Sequence, residues 1–380
     1  MREASGSNPD GSIPLFSFVK EKCRLPKRKH LLYMNAWFTM SLLLSEEEIG
    51  GVLDASLAVE AVEEAFRAYG EGRVNMPPKS YLQLEKGDFR AMYGEIKGFH
   101  GKDICGLKWV NVHPGNPGIG LPTVMAKILL NDPDSAVELA DLDGSLITDM
   151  RTGAAGAVAA KYLSRKDSSV VAFVGAGRQA YTQLECLLEV RDIKSVKVYD
   201  VNMNKARKFA IDSSERFGLD SSAVALEDAL DDADILVTVT PSREPVVPDE
   251  LVKEGVHINA IGADATGKQE LDPKIFSRAR VYIDDWAQAS HSGEINVALD
   301  EGLFLREDVV GSLGDVVAGE VEGRLGDDEV TVFDSTGLIL QDLALGYAVF
   351  RLCRERGVGE VKHFLSRVSA ERLEGVIKRF

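Results

Sequence analysis

The sequence has only 4 cysteines, Cys23, Cys105, Cys186 and Cys353, scattered along the chain without the short spacings of a thiolate metal site. A metal centre and a disulfide framework are both unexpected, and the thiols read as reduced side chains of a cytoplasmic protein. No uninterrupted apolar run reaches the ~18 residues that cross a bilayer. The N-terminal residues also lack the apolar core and small-residue cleavage site of a secretory signal. Basic residues are in the minority: 44 Lys and Arg stand against 60 Asp and Glu, a formal charge of −16. That balance excludes a general nucleic-acid binder or a protein of anionic membrane surfaces. No internal repeat is visible. The remainder, 380 residues of which 45% are hydrophobic and 27% charged, is an ordinary globular composition, long enough for two domains.

The most informative stretch is Val170 to Ala180, VVAFVGAGRQA. An apolar, β-branched run enters a glycine turn, and an amphipathic run with Tyr181, Leu184, Leu187 and Leu188 follows. Strand, turn and helix start come in the order a dinucleotide site needs. Gly175 permits the turn, Gly177 lets backbone approach a pyrophosphate, and Ala180 still allows close helix-to-strand packing. Arg178 and Gln179 open the helix, whose free N–H groups favour a diphosphate. The next strand, Ser195 to Asp200, ends in an acid. A carboxylate there accepts hydrogen bonds from ribose hydroxyls and repels a 2′-phosphate, so NAD is expected over NADP.

Residues 1–39 differ from the rest. SGSNPDGS favours turns, KEKCRLPKRKH is basic, and YMNAWFTM is a short apolar patch. They are expected to form a disordered extension, with the folded pattern beginning at Met40. Ser45 and the three glutamates after it start a capped helix, and apolar residues then recur at helical spacing from Leu53 to Tyr69. Pro77 and Pro78 impose an extended segment before Lys79. Antiparallel strands are expected from about 79 to 130, including 81–84, 89–93 and 106–112. They carry Lys79, Arg90 and Lys108. Lys108 interrupts an apolar strand: it is either paired inside, with a lowered pKa, or turned to solvent on a half-exposed strand. Arg90 carries the same ambiguity. His113, in a loop rich in Pro and Gly, reads as structural more readily than catalytic. The small-residue helix beginning near Asp143 holds Arg151 and Thr152. Arg151 is placed for a phosphate, a substrate carboxylate or a structural salt bridge.

After residue 157 strands and helices alternate, the pattern of a parallel sheet. Beyond the two strands already named, strands are expected at 223–226, 235–240, 257–262 and 281–285, making six. The intervening helices fall at 203–217, 227–232, 248–253 and 272–279, the last capped by Asp272. In a doubly wound sheet the ligand lies beyond the carboxyl ends of the strands. Three patches fall on that rim: Gly175-Ala176-Gly177, Thr240-Pro241-Ser242 and Gly262-Ala263-Asp264. Asp264 directly follows an apolar strand and is placed to meet a nicotinamide or a substrate. A strand containing Phe333 and Asp334 precedes a long helix from about Leu338 to Arg356, which returns the chain to the N-terminal half. Residues 359–380 read as a final amphipathic helix.

These motifs together resemble the ornithine cyclodeaminase/mu-crystallin family, and within it the archaeal-type alanine dehydrogenases. The likeness rests on MPPK ending at Lys79, GLKWVN around Lys108, HPGNP, RTGAA from Arg151, GAGRQA, INAIGADATGKQELD around Asp264, HSGEIN and FDSTG. It spans about 40–358. The resemblance implies a Rossmann domain over 157–342 that binds NAD. It also implies an α+β substrate-binding and dimerisation domain over 40–156 and 343–380, completed by the C-terminal helix, and a homodimer. Carried over residue by residue, Lys79 and Arg90 hold the substrate carboxylate, and Arg151 lies near substrate and cofactor phosphates. Lys108 exchanges protons, and Asp264 stands beside the reacting amine. Arg151, Thr152, Gly175, Gly177, Arg178, Gln179, Ala180, Asp200, Thr240, Pro241, Ser242, Gly262 and Ala263 line the cofactor. The implied activity is NAD-dependent oxidative deamination of L-alanine. Ornithine cyclodeamination and reduction of a cyclic imine such as pyrroline-2-carboxylate are the alternatives. The loop GADATGKQELD is dehydrogenase-like, where cyclodeaminases tend to carry a GGDCPGKTE-like sequence.

Overall fold

The computed structural model describes residues 41–362, arranged around two eight-stranded sheets. The expected extension over 1–39 lies outside the described residues, as does all of the closing helix beyond residue 362. Where that helix was expected to begin, Glu360–Lys362 is instead a short strand paired with the first strand of the fold.

The first sheet is built mainly from the N-terminal third. Strand β1 (Ser41–Leu44) leads into helix α1 (Glu46–Gly50), where Ser45 and Glu48 cap one another reciprocally. Helix α2 (Ala55–Gly70) follows, with Ala58, Val59, Val62, Ala65 and Phe66 buried, the expected apolar stripe. Strands β2 (Val74–Asn75), β3 (Ser80–Leu84), β4 (Gly87–Phe99), β5 (Lys102–Val112), β6 (Val124–Asn131) and β7 (Glu138–Asp143) come next. Pairing runs β1–β7–β6–β5–β4–β2, with β3 also on β4, and all of it is antiparallel except β1 on β7.

Helix α3 (Ser145–Leu163) connects to the second sheet, which holds β8 (Val170–Val174), β9 (Ser195–Tyr199), β10 (Asp220–Ala223), β11 (Ile235–Thr238), β12 (His257–Ala260), β13 (Ala279–Ile283), β14 (Val309–Ser312) and β15 (Val330–Asp334). Every pair is parallel, in the order β10–β9–β8–β11–β12–β15–β13–β14. This is the expected doubly wound sheet with two strands beyond the six assigned to it from sequence, one of them the strand read around Phe333 and Asp334. That strand, β15, is inserted between β12 and β13. All five of its residues are buried, so it needs a neighbour on each edge, and chain order alone does not reveal that position. The strand expected at 223–226 lies three residues earlier. The helices expected near 248–253 and 272–279 are single 3₁₀ turns over Asp249–Leu251 and Pro273–Ser277. Pro248 and Pro273 fix their entry, and Asp272 caps the second as expected.

After β15 the chain re-enters the first sheet's layer as a long helix. We number the remaining helices α4 (Arg178–Leu187), α5 (Met203–Phe217), α6 (Leu226–Leu230), α7 (Trp286–Ser292), α8 (Asn296–Asp300), α9 (Leu313–Ala318) and α10 (Ile339–Arg356), and the closing strand β16. Helix α10 packs on α2, α3 and the inner face of β4, β5 and β6. Its approach to β5 is close because residue 106 is glycine. A Cβ there would lie 2.2 Å from the Leu129 carbonyl oxygen and 2.8 Å from Leu343.

Candidate active site

Strand alternation decides the first question left open by the sequence. Along β5 the side chains of Ile104, Lys108 and Val110 point inward, toward α10, while Trp109 points out. Lys108 is 1% exposed, and its Nζ donates to Asp342 Oδ1 of α10 at 2.8 Å. On the neighbouring strand Met92 sits opposite Lys108, and Arg90 sits opposite Val110. Arg90 therefore shares the inner face. Its Nε donates to Asp88 at 2.8 Å and its Nη1 to Asp264 Oδ2 at 3.0 Å. Lys79 arrives from the proline-stiffened segment and donates to the Thr336 carbonyl at 2.8 Å. Arg151, on α3, donates to Gln341 at 2.8 Å and lies 3.4 Å from Asp342.

These groups surround one cavity of about 480 Å³ between the two sheets. Lys79, Arg90, Lys108, Arg151, Thr152, Arg178, Gln179, Thr240, Pro241, Gly262 and Asp264 all line it. The cationic wall is therefore shared by both sheets, and Lys108 and Asp264 open onto the same space. Met92, Val110, Val112, Val124, Pro122 and Ile261 form an apolar wall. His113 is not among the lining residues; its ring sits edge-on to Phe89 at 5.7 Å.

Electrostatics separates the titratable groups. Burial pulls the Lys108 ammonium down to about 8, with Asp342 opposing and Arg151 and Lys79 adding to the fall. Lys79 is likewise held at about 8 by burial. Burial pushes Asp264 up, but Lys268, 2.6 Å from its Oδ1, and Arg90 outweigh this and hold it at about 2. Near neutral pH Asp264 is thus a fixed anion, while Lys108 is poised to exchange a proton.

The rim of the second sheet fits a dinucleotide. Gly175 has φ +102°, and a Cβ there would press within 3.1 Å of Thr240 and the Val239 carbonyl. Nothing lies within 4 Å of a Cβ built on Gly177, so that side of the turn is open. Helix α4 begins at Arg178 with no side chain capping its N-terminus, leaving backbone donors for an anion. Ala180 is fully buried against the sheet. Asp200 accepts from Ala176 N at 2.8 Å and from Asn202 N at 2.7 Å, which fixes the carboxylate at the end of β9. Gly175, Gly177, Ala180, Asp200, Ser242 and Ala263 do not line the 480 Å³ cavity. Ala263 is 1% exposed, and Ser242 is engaged with Glu244.

Four acids that the sequence reading did not single out hold this arrangement in place. Asp342 pairs with Lys108. Asp149 accepts from Arg178 and, at 2.9 Å, from Gln179, and burial pushes it up to about 6 against the pull of Arg178. Glu270 accepts from Thr240 N at 2.6 Å and Gly262 N at 2.8 Å, tying together the ends of β11 and β12. Asp284 accepts from Thr336 N at 2.6 Å and Gly337 N at 2.7 Å, which shapes the loop under Lys79. One signal was legible: Asp342 stands in a largely apolar helical run, with Leu340, Leu343, Ala344 and Leu345 about it, an expensive place for an unpaired carboxylate.

A model of the ornithine cyclodeaminase/mu-crystallin family matches residues 40–357. The alanine dehydrogenase of Archaeoglobus fulgidus is 50% identical over 325 residues, 85% of this chain and 99% of the relative. Among solved structures, an archaeal alanine dehydrogenase dimer with bound NAD has a TM-score of 0.82 at 50% identity, covering 86% of this chain and 99% of that one. The Thermococcus litoralis Δ1-pyrroline-2-carboxylate reductase in complex with NADH and L-proline has a TM-score of 0.81 at 35% identity, covering 84% and 99%.

Proposed function

Because this chain belongs to the ornithine cyclodeaminase/mu-crystallin family, we propose that it is an NAD-dependent alanine dehydrogenase, converting L-alanine and water to pyruvate and ammonia in a reversible reaction. One observation carries the reading: Lys108 of the first sheet and Asp264 of a loop on the second face a single cavity, which Arg178, Gln179, Thr240 and Gly262 also line. The likeness to alanine dehydrogenases at 50% identity supports the same substrate.

Arg90, Lys79 and Arg151 bind the substrate carboxylate and fix the α-carbon, a positioning effect. NAD, when bound, supplies acceptance of a hydride from that carbon. Gly175, Gly177, Arg178, Gln179 and the α4 N-terminus hold its diphosphate, Asp200 its ribose, and Thr152, Thr240, Pro241 and Gly262 the end nearest the reaction. Ala180, Ser242 and Ala263 support that cradle. Lys108, as the free amine, takes a proton from the substrate ammonium so that a neutral amine enters the hydride step. Asp264 stays ionised and stabilises the positive iminium that results. Lys108 then hands its proton on and accepts another as water adds to the iminium carbon, and ammonia leaves from the resulting carbinolamine.

A small side chain suits the apolar wall. Among the described residues lining the cavity the acids are Asp149 and Asp264; Asp264 is assigned to the α-amine and Asp149 is held by Arg178, which leaves none for the terminal amine of ornithine. The likeness to a pyrroline-2-carboxylate reductase favours cyclic-imine reduction as the second reading. Absorbance at 340 nm with NAD and a panel of amino acids separates these. Net NADH from L-alanine supports the first, NADH from L-proline the second, and proline plus ammonia from ornithine without NADH would point to a cyclodeaminase.

The working unit is a homodimer. The outer face of β3, β4 and β5 exposes Leu82, Leu84, Tyr93 and Trp109, an apolar patch suited to a second copy. The proposed division into 40–156 with 343–380 and 157–342 is supported by the grouping of the strands into two sheets, its boundaries falling inside α3 and α10. A cytoplasmic location is proposed from the scattered cysteines of the sequence.

A further inference from the structure

The Lys108 amine is held by a residue that belongs to neither sheet. We propose that Asp342, on helix α10, is the positioning residue of the site: it anchors the Lys108 amine and supplies the negative charge against which that amine exchanges its proton. The proposal rests on the dehydrogenase reading, in which Lys108 is the proton-exchanging group.

Both partners are at most 1% exposed, and the Nζ–Oδ1 distance is 2.8 Å. The charged groups that act most strongly on Lys108 are Asp342 from α10, Arg151 from α3 and Lys79 from the segment before β3. Asp342 is the one anion among them. Without it, three cations would crowd one end of the cavity. Three features of the structure accommodate the Asp342 carboxylate in the interior. Lys108 donates to it, Arg151 lies 3.4 Å away, and it sits in the first turn of α10, at the positive end of the helix. Its Oδ2 has no hydrogen-bond partner within the protein, so its direct bond is committed to Lys108. Gln341, the preceding residue, accepts from Arg151. The start of α10 therefore fixes both the proton-exchanging amine and a carboxylate-binding guanidinium. Gly106 is what lets this helix come close enough to do so.

The test uses the full chain labelled with 13Cε-lysine, in which the Lys108 signal is identified by its loss in Lys108→Met. In Asp342→Asn the midpoint of the Lys108 titration should fall by about 1 to 3 pH units. The acid limb of kcat/KM for amino-acid oxidation should move down with it, and Asp342→Glu should recover part of both. A folded Asp342→Asn with an unmoved midpoint overturns the proposal. So does a midpoint that moves while the kinetic limb stays, because the carboxylate would then tune an amine the reaction does not use. If Asp342→Asn fails to fold, Asp342→Glu carries the test: a displaced midpoint supports the proposal and an unchanged one overturns it. Absence of NADH from alanine would sink the dehydrogenase reading alone, since the midpoint is read in the free protein.

Discussion

Arg90 of β4 and Asp264 of the loop after β12 meet at 3.0 Å, although 174 residues separate them and they belong to different sheets. Each is assigned to one end of a zwitterionic amino acid, Arg90 to the carboxylate and Asp264 to the amine. In the free protein the two receptors hold one another, with Asp88 also on Arg90 and Lys268 also on Asp264. Substrate entry exchanges that one internal ion pair for two external ones.

Asp264→Asn removes the anion and keeps the shape. NAD affinity should stay within a few-fold, because the diphosphate cradle is elsewhere, while turnover should fall by about 10²-fold or more. Fluorescence titration of NADH and steady-state rates separate the two effects. Unchanged turnover would remove Asp264 from the chemistry.

The pH dependence follows from Lys108, held by burial at about 8. Oxidation of the amino acid requires the neutral amine, so kcat/KM should climb through pH 8 and fall about tenfold per unit below it. The reverse reaction requires the ammonium and should decline above the same pH. A profile in the deamination direction that is flat from pH 6 to 9 would exclude Lys108 as the base.

Cofactor choice should turn on Asp200. Its carboxylate is fixed by Ala176 N and Asn202 N, and it would face a 2′-phosphate as a like charge. Asp200→Ala should raise the NADP-to-NAD ratio of kcat/KM by about tenfold or more. It should also weaken NAD binding, since the ribose loses its acceptor and the glycine turn loses a brace.

Gly106→Ala tests the seating of α10. The added methyl meets backbone at 2.2 Å between two central strands and cannot be relieved by a rotamer change. A loss of about 1 to 3 kcal/mol in urea unfolding is expected, with lowered turnover because α10 carries Asp342. Wild-type stability would show that the strands relax to take the methyl.

Much of this site was legible in the sequence because its residues lie in local patterns. VVAFVGAGRQA states a strand, a turn and a helix without reference to anything distant, and Asp264 follows directly on an apolar strand. The direction of Lys108 was not legible, since a strand read without its partners has two equivalent faces. Asp342 escaped for a related reason: its partner is 234 residues away, and an acid in a long helix means little until the facing strand is known. Glu270 and Asp284 do their work through backbone N–H groups, which no side-chain pattern marks. The place of β15 was hidden because sheet order is a property of crossovers rather than of any one strand.

Thr336 and Gly337 form the chain's route from β15 back to α10, and both border the cavity. Gly337 has φ +78°, and a Cβ on it would strike the Arg151 guanidinium at 2.3 Å, while the Thr336 carbonyl receives Lys79. This connection between the two sheets is thus made of the same atoms that seat Lys79 and Arg151 in the cavity wall. A change that displaced this connection would shift both cations with it, so the course of the backbone and the shape of the cavity cannot be altered separately.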